Sequence, residues 1–221
     1  MDTIVAKITN DSLTDKKIYE QAGKILREGG LVAFPTETVY GLGADALDEE
    51  ASAKIYAAKG RPSDNPLIVH IADIEALYKL SCEVPDKALK LADKFWPGPL
   101  TMILKKSDIV PDSITGGLGT VAIRMPSHKV AAELIRTSGV YIAAPSANTS
   151  GKPSPTRASH VIKDLSGKID MIIEDDTVDI GVESTIIDLS EEVPTILRPG
   201  YITKEMFEEV IGVVRIVPAI T

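Results

Sequence analysis

The chain has 221 residues, of which 44% are hydrophobic and 25% are charged, a composition typical of one large globular domain and unlike that of a disordered chain. Its formal net charge of −8 argues against a broad basic surface for nucleic acid but leaves room for a local basic pocket that binds phosphates. The single cysteine, Cys82, excludes an internal disulfide and a cysteine zinc site, so we expect a reducing, cytoplasmic location.

Hydrophobic periodicity predicts interleaved helices and strands along the whole chain. In the first half of the chain the pattern predicts a helix over 14–27, a strand over 31–34, a helix over 48–58, a strand over 67–71, and helices starting at 73 and 85. In the second half it predicts strands over 100–104 and 120–123, a helix over 129–138, a strand over 140–144 and a helix over 156–165 capped by Thr156. Strands over 171–173, 184–189 and 194–197 follow, and a last helix starts at Thr203 and ends before Gly212. Alternation of this kind predicts an α/β fold with a twisted mixed parallel and antiparallel sheet flanked by helices.

Four joints between these elements are rich in Gly, Pro and polar residues. They are residues 35–43, 59–65, 145–156 and 179–185, and each adjoins a predicted buried strand. Because α/β folds bind ligands in loops at the ends of strands, these joints are the candidate site.

The joint at 59–65 contains a pair of cations. Lys59 and Arg61 are two residues apart on a predicted extended loop, where a point charge and a planar guanidinium could bind one polyanion together. Two solvated charges on a surface loop would give the same pattern, so the pair alone does not decide the matter.

Two further joints combine small hydroxyl and amide side chains with glycine. The first, residues 144–154, allows backbone N–H groups to approach a phosphate or a sugar, although a capped turn has a similar composition. The second, residues 34–43, places Thr36, Thr38 and Tyr40 on one face if the segment is extended. A row of hydroxyls beside the core indicates a ligand, and an edge strand with outward threonines is the alternative.

Common nucleotide and metal motifs are absent. Residues 117–122 fit a loose G-x-G-x-x-A pattern but precede a strand instead of a helix, and there is no phosphate-loop motif. The three histidines show no metal-ligand spacing. His70 ends an apolar strand, where it could face a site or be an ordinary half-buried histidine.

Seven sequence segments taken together indicate one protein family, although none of them would do so alone. PTETVYGLG, KGRPSDNPLIVHI, FWPGPLT, GTVAIRMP, APSANTSGKPSPT, GVESTIID and LRPG occur in this order between residues 35 and 200. Together they resemble the YrdC-like threonylcarbamoyl-AMP synthase family over residues 26–200. The resemblance implies a YrdC-like fold with a concave, locally positive face.

The same resemblance implies a nucleotidyltransferase. Such an enzyme joins L-threonine to bicarbonate and adenylates the carbamate with ATP, which releases pyrophosphate. A partner threonylcarbamoyl transferase then modifies tRNA, and whether tRNA contacts this chain directly stays open. We expect Mg²⁺ to arrive with ATP, and we expect no protein metal site and no membrane segment. Because the carbamate is itself a nucleophile, catalysis should depend on positioning and charge stabilisation.

The resemblance also implies roles for individual residues. The residues expected to bind ATP are Lys59, Arg61, Ser63, Thr120, Ser146, Asn148, Ser154 and Arg198, of which Lys59 and Arg61 are also expected to be catalytic. The residues expected to bind threonine are Thr36, Tyr40, His70, Arg124 and Ser184. Arg124 should pair with the carboxylate of threonine in a bidentate arrangement.

Two other functions remain as alternatives. A non-catalytic module for double-stranded RNA would use a concave positive face, but the acidic composition counts against it. A carbamoyltransferase acting on another carbamate is disfavoured by the lack of zinc-finger cysteines.

For domain organisation, we expect residues 1–210 to form the catalytic domain and residues 211–221 to be a tail or the start of an inter-domain linker. Long members of the family are implied to continue into a linker that closes the active site and then into a second domain.

Overall fold

The structure, a computed structural model, describes residues 2–9, 11–175 and 178–217. The strands in these ranges are β1 (Ile4–Lys7), β2 (Val32–Phe34), β3 (Gly41–Asp45), β4 (Ile68–His70), β5 (Leu100–Lys105), β6 (Thr120–Arg124), β7 (Ile142–Ala143), β8 (Met171–Glu174), β9 (Thr185–Asp188), β10 (Thr195–Arg198) and β11 (Arg215–Ile216). The helices are α1 (Ser12–Arg27), α2 (Glu49–Lys59), α3 (Glu75–Leu80), α4 (Asp86–Phe95), α5 (Asp112–Thr115), α6 (Lys129–Ser138), α7 (Ala158–Leu165) and α8 (Lys204–Ile211).

The described strands form one mixed sheet, which confirms the predicted α/β class. Their order across the sheet is β1-β8-β2-β3-β7-β4-β6-β5-β9-β10-β11. Parallel pairs such as β4 with β6 and β5 with β9 alternate with antiparallel pairs such as β5 with β6. Strands β4, β6, β5 and β9 are therefore adjacent in the sheet.

Helices cover the two faces of this sheet unequally. In β2, Val32 and Phe34 pack with α1 and α6 on one face, whereas Ala33 belongs to the larger core on the opposite face. The alternation follows from the two-residue period of a strand, and burying one side chain such as Phe34 contributes about 2–3 kcal/mol. The face covered by α1 and α6 includes residues of β8, β2 and β7, and it is open beyond them over β4, β6, β5 and β9.

The helix ends show why the sequence predicted most helices well. Asp48 caps α2 by accepting from the backbone N–H groups of Glu50 and Ala51, and Gly60 ends the helix with a left-handed φ of 61°. Thr203 caps α8 in the same way. Helix α6 spans the predicted residues, while α1 begins two residues earlier than predicted, after the cap Asp11.

Two local predictions were wrong, and four short elements were missed. Thr156 does not cap α7, which begins after Arg157 without a side-chain cap. The strand predicted over 140–144 is only Ile142–Ala143, although backbone hydrogen bonds to neighbouring strands continue at Tyr141 and Ala144. The elements β1, β3, α5 and β11 were not predicted.

Strand β3 illustrates why short elements were missed. Its sequence, GLGAD, has a composition that disfavours strands. A Cβ at Gly43 would lie 2.6 Å from Ile142 Cγ2, so glycine is required for β3 to approach its neighbour.

The described C-terminal part continues past residue 210 as part of the same fold. Ile211 ends α8, Val214 is buried, and β11 pairs with β10. Residues 218–221, the end of the segment expected to be a tail or linker, lie outside the described residues. None of the helices in the described ranges combines the length and the apolar composition that crossing a membrane requires.

Candidate active site

The open face of the sheet forms the floor of a cavity of about 410 Å³. Ile68 and His70 of β4, Ala122 and Arg124 of β6, and Ile103 of β5 line it at alternate positions. Eight of the thirteen residues predicted from the sequence line this cavity: Thr36, Tyr40, Arg61, His70, Arg124, Ser146, Ser184 and Arg198. The structure thus brings together residues separated by up to about 160 positions, and their individual roles remain predictions.

Two of the polar joints are held side by side by backbone hydrogen bonds. The N–H of Leu42 donates to the carbonyl of Pro145 at 2.9 Å, and the N–H of Ala147 donates to the carbonyl of Tyr40 at 2.8 Å. The N–H of Tyr40 donates to Pro155 at 2.8 Å. The segment expected to bind threonine is therefore fixed against the segment expected to bind the nucleotide.

Residues 36–39 form a turn, so the segment is not the extended strand in which Thr36, Thr38 and Tyr40 would share one face, although all three line the cavity. The Oγ1 atom of Thr36 accepts from the N–H groups of Thr38 and Val39 and donates to the carbonyl of Val39 at 2.7 Å. Threonine stabilises such a turn through its own backbone contacts. The hydroxyl of Thr36 is thus largely used within the protein.

Tyr40 lines the cavity, and its hydroxyl is engaged within the protein. The hydroxyl donates to the backbone carbonyl of Asp175 at 2.7 Å and accepts from the N–H of the same residue at 3.1 Å. The side chain is fully buried. These contacts hold the side chain of Tyr40 in one orientation, and its binding of threonine stays a prediction.

Lys59 ends α2 and lies beneath the segment 146–150. Its ammonium donates to the carbonyl of Ser146 and, at 2.7 Å, to that of Asn148, and its own carbonyl accepts from the N–H of Ser150 at 2.9 Å. Burial, aided by the nearby Arg61, lowers the pKa of Lys59 to about 8. Lys59 therefore shapes the segment expected to bind the nucleotide, next to Arg61, which lines the cavity.

Four other predicted residues also lie outside the cavity lining. Ser63 is exposed, and Thr120 lies two positions before Ala122 on the same face of β6. Asn148 is buried, and its Nδ2 donates to the carbonyls of Thr149 and Lys152. Ser154 contacts the cavity residue Glu183.

Arg124, at the end of β6, is held by a buried ion pair. Its Nη2 lies 2.7 Å from Oε1 of Glu37, and its Nη1 donates to Oγ1 of Thr38 at 2.9 Å. Burial raises the pKa of Glu37, but the Arg124 guanidinium outweighs that effect and holds the pKa below its ordinary value. The guanidinium is thus fixed in orientation at the edge of the cavity.

His70 is neutral in this setting. Burial, together with the charge of Arg124, lowers its pKa to about 3. Its Nδ1 lies 3.1 Å from the carbonyl of Ile68 and 3.3 Å from that of Ile142, so Nδ1 carries the proton. Nε2 is then a hydrogen-bond acceptor, a role that suits a ligand's hydroxyl or amine.

Arg198 reaches the cavity from β10, where a register shift next to Arg198 bends the strand. Its Nη1 pairs with Oε2 of Glu183 at 3.0 Å, while Nε and Nη2 donate to the carbonyl and the hydroxyl of Ser184. The second oxygen of Glu183 accepts from Ser154 at 2.7 Å. One glutamate therefore links two residues that were predicted to bind ATP.

The lining concentrates positive charge in an acidic protein. Among the described residues that line the cavity, three are arginines (Arg61, Arg124 and Arg198) and Glu183 is the only acid. The described ranges contain no group of three or more His, Cys, Asp and Glu side chains arranged to hold a metal ion. Such a cavity fits an anion, and it offers a cation one carboxylate at most.

Glu37, Thr101 and Glu183 were not predicted from the sequence, and Thr38 was predicted only as part of a row of hydroxyls. Each contacts a predicted residue, and each lies within one of the seven segments. Glu183 directly precedes Ser184, so a charged residue beside a predicted ligand was the available signal. Nothing in the sequence indicated that Glu37 would meet Arg124, 87 positions away, because only the turn and the sheet register bring them together.

Comparison with known proteins gives a consistent result. The family model of Sua5, YciO and YrdC, which carries the description "Telomere recombination", matches residues 24–200. A threonylcarbamoyl-AMP synthase of Pyrococcus abyssi is 57% identical over 99% of the chain and 64% of its own length. One from Bacillus subtilis is 55% identical over 95% of the chain and 61% of its own length.

A solved structure is similar to the same extent. The crystal structure of P. abyssi Sua5 complexed with L-threonine superposes with a TM-score of 0.93 at 55% identity, covering 99% of the chain and 63% of that protein. The chain thus spans less than two thirds of the length of each of these relatives.

Proposed function

The chain belongs to the Sua5, YciO and YrdC family, and we propose that it carries the catalytic site of a threonylcarbamoyl-AMP synthase. Its substrates would be L-threonine, bicarbonate and ATP. The amine of threonine attacks the carbon of bicarbonate, with loss of water, to form a carbamate. A carbamate oxygen then attacks the α-phosphorus of ATP, and pyrophosphate leaves.

One observation carries this proposal above the others. Three arginines and several hydroxyls converge on one cavity of about 410 Å³, in a chain whose relatives from P. abyssi and B. subtilis bear the name of this activity. An adenylation of this kind needs no protein nucleophile, because the carbamate supplies the attacking oxygen. What it needs is anchored anions and stabilised charge, which fixed guanidinium groups provide.

We propose that two groups of lining residues bind the two ligands. Arg124 and Ser184, with the acceptor Nε2 of His70, form the group proposed for threonine. Arg61 and Ser146, beside the segment held by Lys59, form the group proposed for the triphosphate. The P. abyssi structure with bound L-threonine supports the amino-acid assignment.

We propose that Mg²⁺ arrives with ATP. Glu183 is the only carboxylate among the described lining residues, which fits an ion carried mainly by phosphate oxygens and water. When bound, the ion would neutralise charge on the departing pyrophosphate. Transfer of the product to tRNA would fall to a partner threonylcarbamoyl transferase, and a cytoplasmic location remains the expectation.

Release of pyrophosphate tests the proposal. We expect release that requires threonine and bicarbonate together, with omission of either returning the rate to background. Turnover that ignores bicarbonate would contradict carbamate formation. Retention on double-stranded RNA without any ATP turnover would instead favour the RNA-binding alternative.

A further inference from the structure

We propose that Thr101 is a positioning residue that sets the hydroxyl of Ser184 as a hydrogen-bond donor into the cavity. The proposal rests on the function proposed above and deepens it, since it states what kind of ligand atom binds beside Ser184. It follows from counting the donors and acceptors around two hydroxyls.

Thr101 lies under the cavity and does not line it. It belongs to β5, opposite Arg124 of β6 and Ile186 of β9, so its side chain lies on the same sheet face as the cavity floor. Its side chain is fully buried. Solvent therefore cannot satisfy its hydroxyl, which must find its partner within the protein.

One lone pair of the Ser184 hydroxyl oxygen already accepts a hydrogen bond from Arg198. Its Oγ lies 3.0 Å from Nη2 of Arg198, and a guanidinium can only donate. The same oxygen lies 2.8 Å from Oγ1 of Thr101, and either hydroxyl could be the donor in that contact. The hydroxyl of Ser184 therefore has one more lone pair and one proton to place.

The direction of the Thr101–Ser184 bond follows from what each hydroxyl has left. Thr101 Oγ1 has no second partner among the described residues, whereas Ser184, although only 1% exposed, lines the cavity, where a ligand can accept its proton. If Ser184 donated to Thr101, the proton of Thr101 would be buried without an acceptor, which is the costly arrangement. If Thr101 donates, both lone pairs of Ser184 are used and its proton is free to meet a ligand.

On this side of the cavity the protein therefore presents hydrogen-bond donors to a ligand. The hydroxyl proton of Ser184 joins the guanidinium groups of Arg124 and Arg198, so this side selects a ligand oxygen that accepts hydrogen bonds. For an amino-acid substrate, that oxygen belongs to the carboxylate or to the side-chain hydroxyl. Accepting two hydrogen bonds also polarises the hydroxyl of Ser184 and strengthens it as a donor.

A ligand-free measurement tests the direction of the bond. Neutron diffraction from a crystal of the protein in heavy water would locate deuterium on hydroxyl oxygens. We expect deuterium on Thr101 Oγ1 pointing at Ser184, and deuterium on Ser184 facing the cavity. The reverse pattern would overturn the proposal, whatever reaction the protein catalyses.

A double-mutant cycle tests the consequence for binding. Calorimetry with threonine would compare the wild type with Thr101→Val, Ser184→Ala and the double variant. We expect Thr101→Val to weaken binding about threefold to tenfold, and Thr101→Ser, which keeps the hydroxyl, to weaken it by less than about twofold. In the Ser184→Ala background, Thr101→Val should have no further effect, because Thr101 acts through Ser184.

Two results would overturn the positioning role. One is a Thr101→Val protein that binds threonine as tightly as the wild type, and the other is effects of the two variants that simply multiply. If Thr101→Val melts below the assay temperature, Thr101→Ala removes the same hydroxyl and repeats the cycle. A wild type that binds no threonine would count against the proposed function, and the neutron measurement would still decide the direction of the bond.

Discussion

Nη2 of Arg124 lies 2.7 Å from Oε1 of Glu37, and both side chains are almost completely buried at the edge of the cavity. Removing one partner from a buried pair leaves an uncompensated charge and typically costs about 3–5 kcal/mol. The pair therefore links the orientation of a predicted substrate-binding arginine to the stability of the fold.

Acid should weaken the fold through Glu37. Because the folded-state pKa of Glu37 is lowered from 4.5, its contribution is fully present above about pH 4.5 and is lost as pH falls through the lowered pKa. Glu37→Gln should be less stable at neutral pH and should lose less stability on acidification. Thermal melts from about pH 3 to 7 measure both effects. Glu191→Gln, an exposed control, should follow the wild type; a Glu37→Gln profile parallel to the wild type would exclude this pair as the cause.

Alanine variants should separate the roles of Lys59 and Arg61. Both should lower pyrophosphate release roughly a hundredfold, because Arg61→Ala removes a charged contact proposed for phosphate and Lys59→Ala releases the segment proposed to bind the nucleotide. Only Lys59→Ala should also lower the melting temperature, by roughly 6 °C or more, because its ammonium binds two backbone carbonyls. Lys90→Ala, an exposed lysine of α4, serves as the control. Normal turnover in both variants would rule out the assignment.

The fold was largely predictable because its signals are local. Caps such as Asp48 and Thr203 and the stop at Gly60 mark helix ends within a few residues, and α2 and α8 follow them. Strand β3 was missed because its glycines matter only once Ile142 lies beside them. The turn at Thr36 was missed because alternating hydroxyls fit an extended strand equally well.

The sequence predicted which residues belong to the site, but it did not predict their contacts with one another. The motifs identified the loops that meet, whereas the partners inside the site depend on sheet register. Glu37 meets Arg124, and Thr101 meets Ser184, only through the pairing of strands far apart in sequence. Lys59 was expected to contact phosphate, and its contacts with two carbonyls could not be read from a loop pattern.

Glu183 should compete with the nucleotide for its binding residues. Its carboxylate accepts from Ser154 and pairs with Arg198, both of which were predicted to bind ATP. Glu183→Gln should therefore tighten the binding of pyrophosphate by about twofold to fivefold, the range expected for a partly exposed ion pair. Calorimetry without Mg²⁺ measures this directly. Weaker binding in the variant, seen only with Mg²⁺ present, would instead identify Glu183 as a metal ligand.

Threonine should bind more tightly than valine, which has nearly the same shape and lacks the hydroxyl. A cavity with the donor Ser184 and the acceptor Nε2 of His70 leaves polar groups unpaired against valine. We expect a preference of roughly tenfold or more. Titration calorimetry with both amino acids gives the ratio of the two affinities. Equal affinities would mean that the cavity selects its ligand by shape alone.

Mass spectrometry of the product tests the central claim most directly. The protein would be incubated with L-threonine, ¹³C-labelled bicarbonate, ATP and Mg²⁺, with the Arg61→Ala variant as a control. The account predicts a new species that contains threonine, one labelled carbon and AMP, formed together with pyrophosphate and strongly reduced in the variant. An AMP-containing product without the labelled carbon, or no such product from the wild type, would contradict it.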